Sequence, residues 1–410
     1  MNILFLTLSP NLTPKDGDGI YSSILYELTK DNSVYIVSPL QRREKKNSFV
    51  ETGKNFKTLN VKVGNITKCN IIEKGISTLL IQKQFKNAIK RYFNDVKFDI
   101  ILYSTPPITF CSVIKYFKKR DSAKTYLMLK DIFPQNAVDM KMFSKKSIIY
   151  KYFRKQEINL YKISDKIGCM SPKNKEFLLN NNDFLDNNKV EVFPNSINSK
   201  KDNLRNLKLN DKFRRKYNIP SNSRVFMYGG NLGKPQGIPF IIDCLKEIKN
   251  MSNTFFVVCG TGTEYKKLEE FKNNEKLENL LLLNGLPKKE YTDFLNIADV
   301  GLIFLDYNFT IPNFPSRLLS YMEKGIPILS CTDPNTDIGD IIEKNGFGWK
   351  TLSNDACNFS EIVQMISDLP MDTICDMGAK AREYLQKKYL SSKNYKRLLG
   401  EEKTDEDSCC

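Results

Sequence analysis

One pattern constrains the fold more than any other feature of this sequence, and it occurs twice. An apolar, strand-like run leads into a glycine-bearing loop, and the loop leads into a helix. The two copies cover residues 2–10, 17–19 and 20–30, and residues 225–228, 229–237 and 238–250. A strand that ends where a helix begins directs backbone N–H groups and the positive end of the helix to one point, which favours an anion. The pattern predicts two α/β domains that face each other across a cleft.

Composition limits the chemistry that this chain can perform. Its 410 residues are enough for two domains. It contains no histidine, which excludes His-based triads, His general bases and His metal ligands. No apolar run is long enough to span a bilayer, and residues 1–8 lack the basic start of a signal peptide. The ten cysteines are scattered, which is typical of free thiols in a reducing cytoplasm.

The positive charge of the chain is concentrated in its first half. The net charge is +16, and residues 1–199 contribute +15 of it, with 33 basic against 18 acidic residues. Charge confined to one half indicates a partner that this half meets. Nucleic acid and anionic lipid are both candidates, and the alternative is a solvated, lysine-rich surface.

Strands and helices alternate in both halves, which predicts doubly wound, mostly parallel sheets. We expect one Rossmann-like domain over residues 1–198 and a second over residues 199–370. The polar stretch 200–215 reads as the linker between them. The helical residues 371–400 are expected to pack back on the first domain, and residues 401–410 to form a frayed tail.

Two segments of the second half combine glycine, proline and positive charge. In one, Pro315 ends the loop and Ser316 is the expected N-cap of a helix. Arg317 places a cation suited to bidentate phosphate contact beside the first amides of this helix. The other is the glycine-rich loop 229–237, where Lys234 can neutralise a diphosphate. This loop matches neither the Walker pattern nor GxGxxG. Gly260 and Gly262, on either side of Thr261, fit a tight turn and a binding loop equally well.

These segments carry a family resemblance. The series "YGGNLGKPQGI", "FVVCGTGTEYKKLEEF", "NGLPKKEYTDFLNIADVGLIFL" and "NFPSRLLSYMEKGIPIL" resembles the donor-binding domain of GT-B-fold glycosyltransferases of family 4. In the first half, "GDGIYSSILYELTK" and "LKDIFPQNAVD" are similar to members from capsular polysaccharide and O-antigen clusters. The resemblance implies a retaining transfer of a hexosyl or N-acetylhexosaminyl group from a nucleotide diphosphate sugar, by default a UDP-sugar, to a hydroxyl.

The resemblance also implies the site residues. Arg317 and Lys234 would stabilise the departing diphosphate, with no metal or other cofactor. Donor contacts are expected at Gly230, Asn231, Leu232, Gly260, Thr261, Gly262, Leu286, Phe314, Pro315, Ser316, Leu318 and Ser320. In the first domain, the residues near the acceptor or the phosphate are Gly17, Asp18, Gly19, Lys130 and Asn136. Asp131 follows a strand and is expected to contact the acceptor hydroxyl as hydrogen-bond partner or base, the alternative being a cap of the following turn.

Two departures from the family pattern affect the donor site. The family often has paired glutamates eight positions apart, where this chain has Pro312 and Ser320, so a carboxylate contact to the donor is missing. It also often has an Arg at the position of Asn231 and a Lys at that of Gln236. Neutralisation of the phosphates then depends more on Lys234 and Arg317.

The basic first half gains an interpretation from the resemblance. In residues 141–166, apolar and aromatic side chains recur among Lys and Arg at helical spacing, which suits adsorption to an anionic membrane. We expect a lipid-linked glycan acceptor and a cytoplasmic enzyme that is peripheral on the inner membrane. The alternative is that the apolar stripe is the core face. Rival functions are a nucleotide-sugar epimerase, a nucleotide-sugar sensor without turnover, and a nucleic-acid-binding protein, although no nucleic-acid-reading module is recognisable.

Overall fold

The computed structural model describes residues 1–15, 17, 19–67, 69–199 and 204–401. The chain divides into two compact units, residues 1–198 together with the residues from Leu390 on, and residues 199–389. Each unit contains one sheet, and the two sheets have eight and six strands. The expectation of two Rossmann-like domains is confirmed.

The first unit is built on an eight-stranded sheet in the order β3-β4-β2-β1-β5-β6-β7-β8. Only the β3–β4 hairpin is antiparallel among these pairs. Its strands are β1 (Asn2–Leu6), β2 (Ser33–Gln41), β3 (Phe49–Gly53), β4 (Phe56–Val63), β5 (Ile100–Ser104), β6 (Lys124–Leu129), β7 (Lys166–Cys169) and β8 (Val190–Val192). Its helices are α1 (Ile20–Leu28), α2 (Ile71–Tyr92), α3 (Cys111–Asp121), α4 (Gln135–Asp139), α5 (Ile148–Ile163), α6 (Pro172–Asn180) and, from the chain end, α15 (Ser391–Leu399).

The second unit contains an all-parallel sheet in the order β11-β10-β9-β12-β13-β14. Its strands are β9 (Arg224–Asn231), β10 (Thr254–Thr261), β11 (Leu280–Leu283), β12 (Val300–Phe304), β13 (Ile328–Thr332) and β14 (Gly348–Leu352). Its helices are α7 (Leu207–Lys216), α8 (Ile238–Glu247), α9 (Tyr265–Glu275), α10 (Lys288–Phe294), α11 (Arg317–Lys324), α12 (Ile338–Lys344), α13 (Ala356–Asp368) and α14 (Met371–Lys388).

Both sheets have fully buried central strands, which suits their mostly parallel arrangement. β5 and β12 are buried along their whole length and read as continuous apolar runs, as strands covered on both faces do. In the second unit, strand residues such as Phe226 and Phe256 pack against the apolar face of α8 and against α13. Because all strands of that sheet run the same way, their carboxyl ends lie along one edge, where binding residues of α/β folds gather.

The structure differs from the sequence-based reading in two places between and after the sheets. The stretch read as a linker contains α7, whose N-cap is the side chain of Asn206. The residues 371–400 are divided between the units: α14 packs against α11 in the second, and α15 against α1 in the first. Gly378 of α14 allows this packing, since a Cβ there would lie 2.0 Å from the carbonyl oxygen of Gly325.

Candidate functional site

Arg317 joins the two segments of the second unit that the sequence singled out. It is the first residue of α11, and its Nη1 donates a hydrogen bond of 2.8 Å to the carbonyl oxygen of Gly229 at the end of β9. The guanidinium carbon lies 4.3 Å from the centroid of the Tyr228 ring, a cation–π contact. These contacts hold a fixed positive charge against the glycine-rich loop.

Gly230 is required for this arrangement. Its φ of +138° disfavours any residue with a side chain, and a Cβ would lie 2.8 Å from Nη2 of Arg317. The neighbouring Gly229 is similarly constrained, because a Cβ there would lie 1.9 Å from the hydroxyl oxygen of Tyr291. Tyr228 and Tyr291 were not among the sequence-predicted site residues, although Tyr228 directly precedes the glycine pair.

The segment 260–262 extends the strand pairing into the same loop. The β9–β10 ladder continues to Gly230 opposite Gly260 and Asn231 opposite Thr261. A Cβ on Gly260 would lie 1.8 Å from the Gly230 carbonyl oxygen, and one on Gly262 would lie 2.1 Å from that of Leu232. The two glycines therefore serve close backbone approach of the predicted donor loops rather than only a tight turn.

Gln236 shapes the rest of the loop. Its Oε1 accepts hydrogen bonds from Nδ2 of Asn231 at 2.8 Å and from the backbone N–H of Gly233 at 3.2 Å. At the two positions where the family often has Arg and Lys, this chain thus has Asn231 and Gln236, whose side-chain amides hydrogen-bond to each other. Lys234 lies between them in a 3₁₀ turn with an exposed side chain. Its charge is available to a ligand but is not fixed by the loop.

The start of α11 differs from the expectation. Ser316 has helical dihedral angles, and its side chain makes no capping hydrogen bond. The N–H groups of Leu318 and Leu319 donate back to the carbonyls of Pro315 and Ser316, at 3.3 and 3.1 Å. Proline has no N–H group. The amides that this turn offers to an anion are therefore those of Ser316 and Arg317.

The other predicted donor residues divide by burial. The side chains of Leu232 and Leu318 are fully buried, and Phe314 is buried with its ring centroid 6.0 Å from that of Tyr389. Any donor contact of Leu232 or Leu318 would therefore involve the backbone. Leu286 and Ser320 are half-buried and Ser316 is exposed, so their side chains remain accessible.

Asn313 adds a group that the sequence reading missed. Its carbonyl oxygen accepts a 2.6 Å hydrogen bond from Oγ1 of Thr336, which fixes the loop before α11. Its Nδ2 atom is buried and has no hydrogen-bond partner among the described residues. Buried polar groups are usually paired, so an unpaired amide close in sequence to Arg317 is a candidate ligand contact.

In the first unit, the structure brings Asp131 and Asn136 together. Nδ2 of Asn136 lies 2.8 and 2.7 Å from the two carboxylate oxygens of Asp131. Thr105 fixes the backbone here: its Oγ1 accepts from the N–H groups of Lys130 and Asp131, at 3.0 and 3.1 Å. Burial raises the pKa of Asp131 to about 6, although the hydrogen bond from Asn136 opposes this shift. A carboxylate with this pKa is ionised at neutral pH and can accept a proton.

Lys130 and Tyr21 are two further groups of the first unit whose pKa is shifted by burial. The Lys130 ammonium lies 3.4 Å from the carbonyl oxygen of Phe193 and 5.4 Å from the centroid of its ring, and burial lowers the pKa of Lys130 to about 7. Tyr21 lies in the first turn of α1, and burial together with the negative charge of Asp131 raises its pKa. The start of α1 and the carboxyl end of β6 thus share one electrostatic environment.

The glycines before α1 have backbone conformations that favour glycine. Gly17 and Gly19 have φ of +55° and +101°, and Oγ of Ser23 donates a 2.5 Å hydrogen bond to the carbonyl oxygen of Gly17. Asp18 lies outside the described residues. Among those that are described, no group of three or more Cys, Asp or Glu is placed to hold a metal ion. That no metal takes part stays a prediction.

The predicted basic stretch is only partly a core face. Glu157, Leu160 and Tyr161 are the buried residues of α5, whereas Ile148 and Ile149 at its start are 85% and 54% exposed. No helix in the described part of the chain has the length and apolarity needed to cross a membrane. Exposed apolar side chains therefore lie beside exposed lysines at the start of α5.

The chain is similar to known glycosyltransferases. Residues 210–384 match the family described as glycosyl transferases group 1. The probable glycosyltransferase WbjE of Pseudomonas aeruginosa is 24% identical over 324 residues, which are 78% of this chain and 78% of that protein. The putative colanic acid biosynthesis glycosyltransferase WcaL of Escherichia coli K12 is 24% identical over 159 residues, 38% of this chain and 39% of that protein.

Solved structures share the fold at low sequence identity. Sucrose-phosphate synthase from Thermosynechococcus elongatus superposes with a TM-score of 0.75 at 13% identity, covering 98% of both chains. An E. coli structure described as trehalose-6-phosphate bound with UDP-2-fluoroglucose gives a TM-score of 0.74 at 9% identity, again covering 98% of both chains. The fold is therefore GT-B, and the resemblance noted from the sequence is confirmed. The chain carries a glycosyl transferases group 1 domain in its second unit and is a glycosyltransferase.

Proposed function

We propose that this glycosyltransferase moves a sugar, with retention of anomeric configuration, from a UDP-sugar to a hydroxyl of a lipid-linked glycan in bacterial surface polysaccharide synthesis. The observation that carries the donor assignment is the Arg317 guanidinium, fixed against Gly229 and Gly230 at the carboxyl end of β9. A UDP-sugar is the first donor to test, because a structure of the same fold holds UDP-2-fluoroglucose. The surface-glycan assignment is supported by the similarity to WcaL.

The proposed roles follow from charge. When the bond between the anomeric carbon and the diphosphate breaks, the negative charge that develops on the leaving oxygen is stabilised by Arg317, Lys234 and the amides of Ser316 and Arg317. A protein cation placed in advance needs no reorganisation, so no metal is required in this proposal. We assign the acceptor to the first unit, where Asp131 would accept the proton of the attacking hydroxyl.

We place the enzyme at an anionic membrane surface through the first unit. Two helices expose apolar side chains at their amino-terminal ends: Ile76, Leu79 and Leu80 of α2, and Ile148, Ile149 and Tyr152 of α5. Exposed lysines follow on both helices. Apolar side chains bordered by cations suit the interface of an anionic bilayer. Arg154 does not belong to this surface, because it pairs with the buried carboxylate of Glu157 at 2.5 Å.

Turnover of nucleotide sugars tests the proposal. The full chain is incubated with a panel of nucleotide sugars and a bacterial lipid extract, and free nucleoside diphosphate and glycosylated lipid are measured. We expect UDP release that depends on both the extract and the donor and that persists in EDTA. Donor binding without any release would favour a sensor, and conversion of the free nucleotide sugar would favour an epimerase.

A further inference from the structure

A cationic groove lies between α2 and α3 of the first unit, and none of its lining residues is among those discussed for catalysis. It has a volume of about 520 Å³ and is lined by Lys86, Ser112, Lys115, Tyr116, Lys119 and Arg120. We refer to it as the α2–α3 groove. The function proposed above assigns it no ligand.

No described residue forms an ion pair with the lysines in and beside the α2–α3 groove, which are Lys86, Lys90, Lys115 and Lys119. Residues 75–92 contain no acidic side chain, and neither do residues 111–120. Like charges gathered without carboxylates repel one another, which a bound anion would relieve.

Two further contacts define the shape of the groove. The ammonium groups of Lys86 and Lys90 lie 4.4 and 5.4 Å from the centroid of the same Tyr116 ring, so one aromatic ring contacts two cations. Arg120 is already committed to Asp121, with Nε–Oδ1 and Nη2–Oδ2 distances of 2.6 and 2.8 Å. The charge available to a ligand is therefore that of the lysines.

The groove continues the exposed stripe of α2. The amino-terminal half of that stripe is apolar, with Ile76 55% and Leu80 49% exposed, and the carboxyl-terminal half is cationic. Lys86 follows Leu79 by seven residues, which is about 10 Å along a helix. Interfacial apolar side chains reach about 5–10 Å below the headgroups. If Leu79 and Leu80 enter the acyl boundary and the axis of α2 is steep, Lys86 would reach the level of the lipid phosphates.

We propose that the α2–α3 groove binds the phosphate of an anionic phospholipid headgroup. This inference rests on the membrane part of the proposed function and goes beyond it by naming the headgroup site. Free phosphate would offer the same chemistry, but the adjoining exposed leucines favour a lipid.

Sedimentation with vesicles tests the headgroup site. The full chain is compared with the variant Lys86→Gln/Lys115→Gln/Lys119→Gln on phosphatidylcholine vesicles with and without phosphatidylglycerol. A control variant, Lys266→Gln/Lys276→Gln/Lys289→Gln, removes three exposed charges from the second unit. We expect the groove variant to lose affinity for phosphatidylglycerol vesicles by roughly 30- to 100-fold, and the control by less than about 3-fold. UDP-dependent thermal stabilisation of all three proteins shows that each is folded.

The outcomes separate this inference from the proposed function. Wild-type protein that does not bind phosphatidylglycerol vesicles would remove the membrane part of the proposed function. Wild-type binding that both triple variants weaken equally, or that neither weakens, would overturn the headgroup site alone. The headgroup site would also be overturned if the groove variant kept vesicle binding but lost binding of inorganic phosphate, measured by calorimetry.

Discussion

Gly230→Ala tests whether the placement of Arg317 matters for donor use. The added methyl group would lie 2.8–2.9 Å from three atoms of the guanidinium, and its backbone would have to keep a φ of +138°. Because the guanidinium is the far end of a flexible side chain, it can swing away. The methyl group therefore displaces the charge without removing it.

The expected magnitudes come from these contacts. A non-glycine residue in such a backbone conformation costs about 1–3 kcal/mol. Moving the guanidinium away from the Gly229 carbonyl forfeits a charged hydrogen bond, about 1.5–3 kcal/mol, and the contact with the Tyr228 ring, about 0.5–2 kcal/mol. We expect the free energy of unfolding to fall by about 2–4 kcal/mol, since the side chain finds new partners in water. If Arg317 stabilises the leaving diphosphate, kcat/KM should fall by about 10²-fold or more.

The assay combines urea unfolding with steady-state UDP release. Gly75→Ala in α2 is the matched control, because no atom lies within 4 Å of the added methyl group. It should keep wild-type turnover and gain about 0.5–1 kcal/mol from helix propensity. A Gly230→Ala protein with lowered stability but wild-type kcat/KM would refute the role given to Arg317.

Three other predictions concern charges inside the units. Burial lowers the pKa of Lys130 to about 7, so its ammonium destabilises the folded state below pH 7 but not above pH 10.5. Lys130→Met should thus raise the free energy of unfolding by about 2–4 kcal/mol at pH 6 and little at pH 10.5; an equal gain in urea unfolding at both pH values would contradict this. Because the pKa of Asp131 is about 6, kcat/KM should rise with pH through that value, and Asp131→Asn should abolish the rise. Asp299, buried between Arg205 and Arg214, accepts from the latter at 3.0 Å. Asp299→Asn should lower stability by about 3–5 kcal/mol, and a near-wild-type urea midpoint would show that the arginines find other counter-charges.

Much of the fold was predictable from the sequence because buried parallel strands are apolar throughout. β5, β6, β10 and β12 stand out as such runs, and the glycines that follow β9 mark the loop. Strands β3 and β14 do not stand out in this way. β3 is nowhere fully buried, and only Gly348 and Thr351 of β14 are buried, so neither presents a continuous apolar run.

The candidate site was less predictable, because its contacts join residues far apart in sequence. The positions of Arg317 and of the glycine-rich loop followed from local pattern, but the contact between them spans 88 residues. The contact of the Tyr291 ring with Gly229 likewise joins residues that are distant in sequence. The hydrogen bond between Asn231 and Gln236 is local, but no sequence pattern indicates it. Asp131 and Asn136 are close in sequence, and both were expected near the acceptor, but their hydrogen bond was not predicted.

UDP binding to the full chain, measured by calorimetry for wild-type, Arg317→Ala and Arg317→Lys proteins, tests the central claim most directly. If the guanidinium holds the diphosphate by directed hydrogen bonds, Arg317→Ala should weaken UDP binding at least about tenfold. Arg317→Lys should recover only part of this loss, because an ammonium is a point charge without the planar fork. Equal dissociation constants for the three proteins would contradict the account.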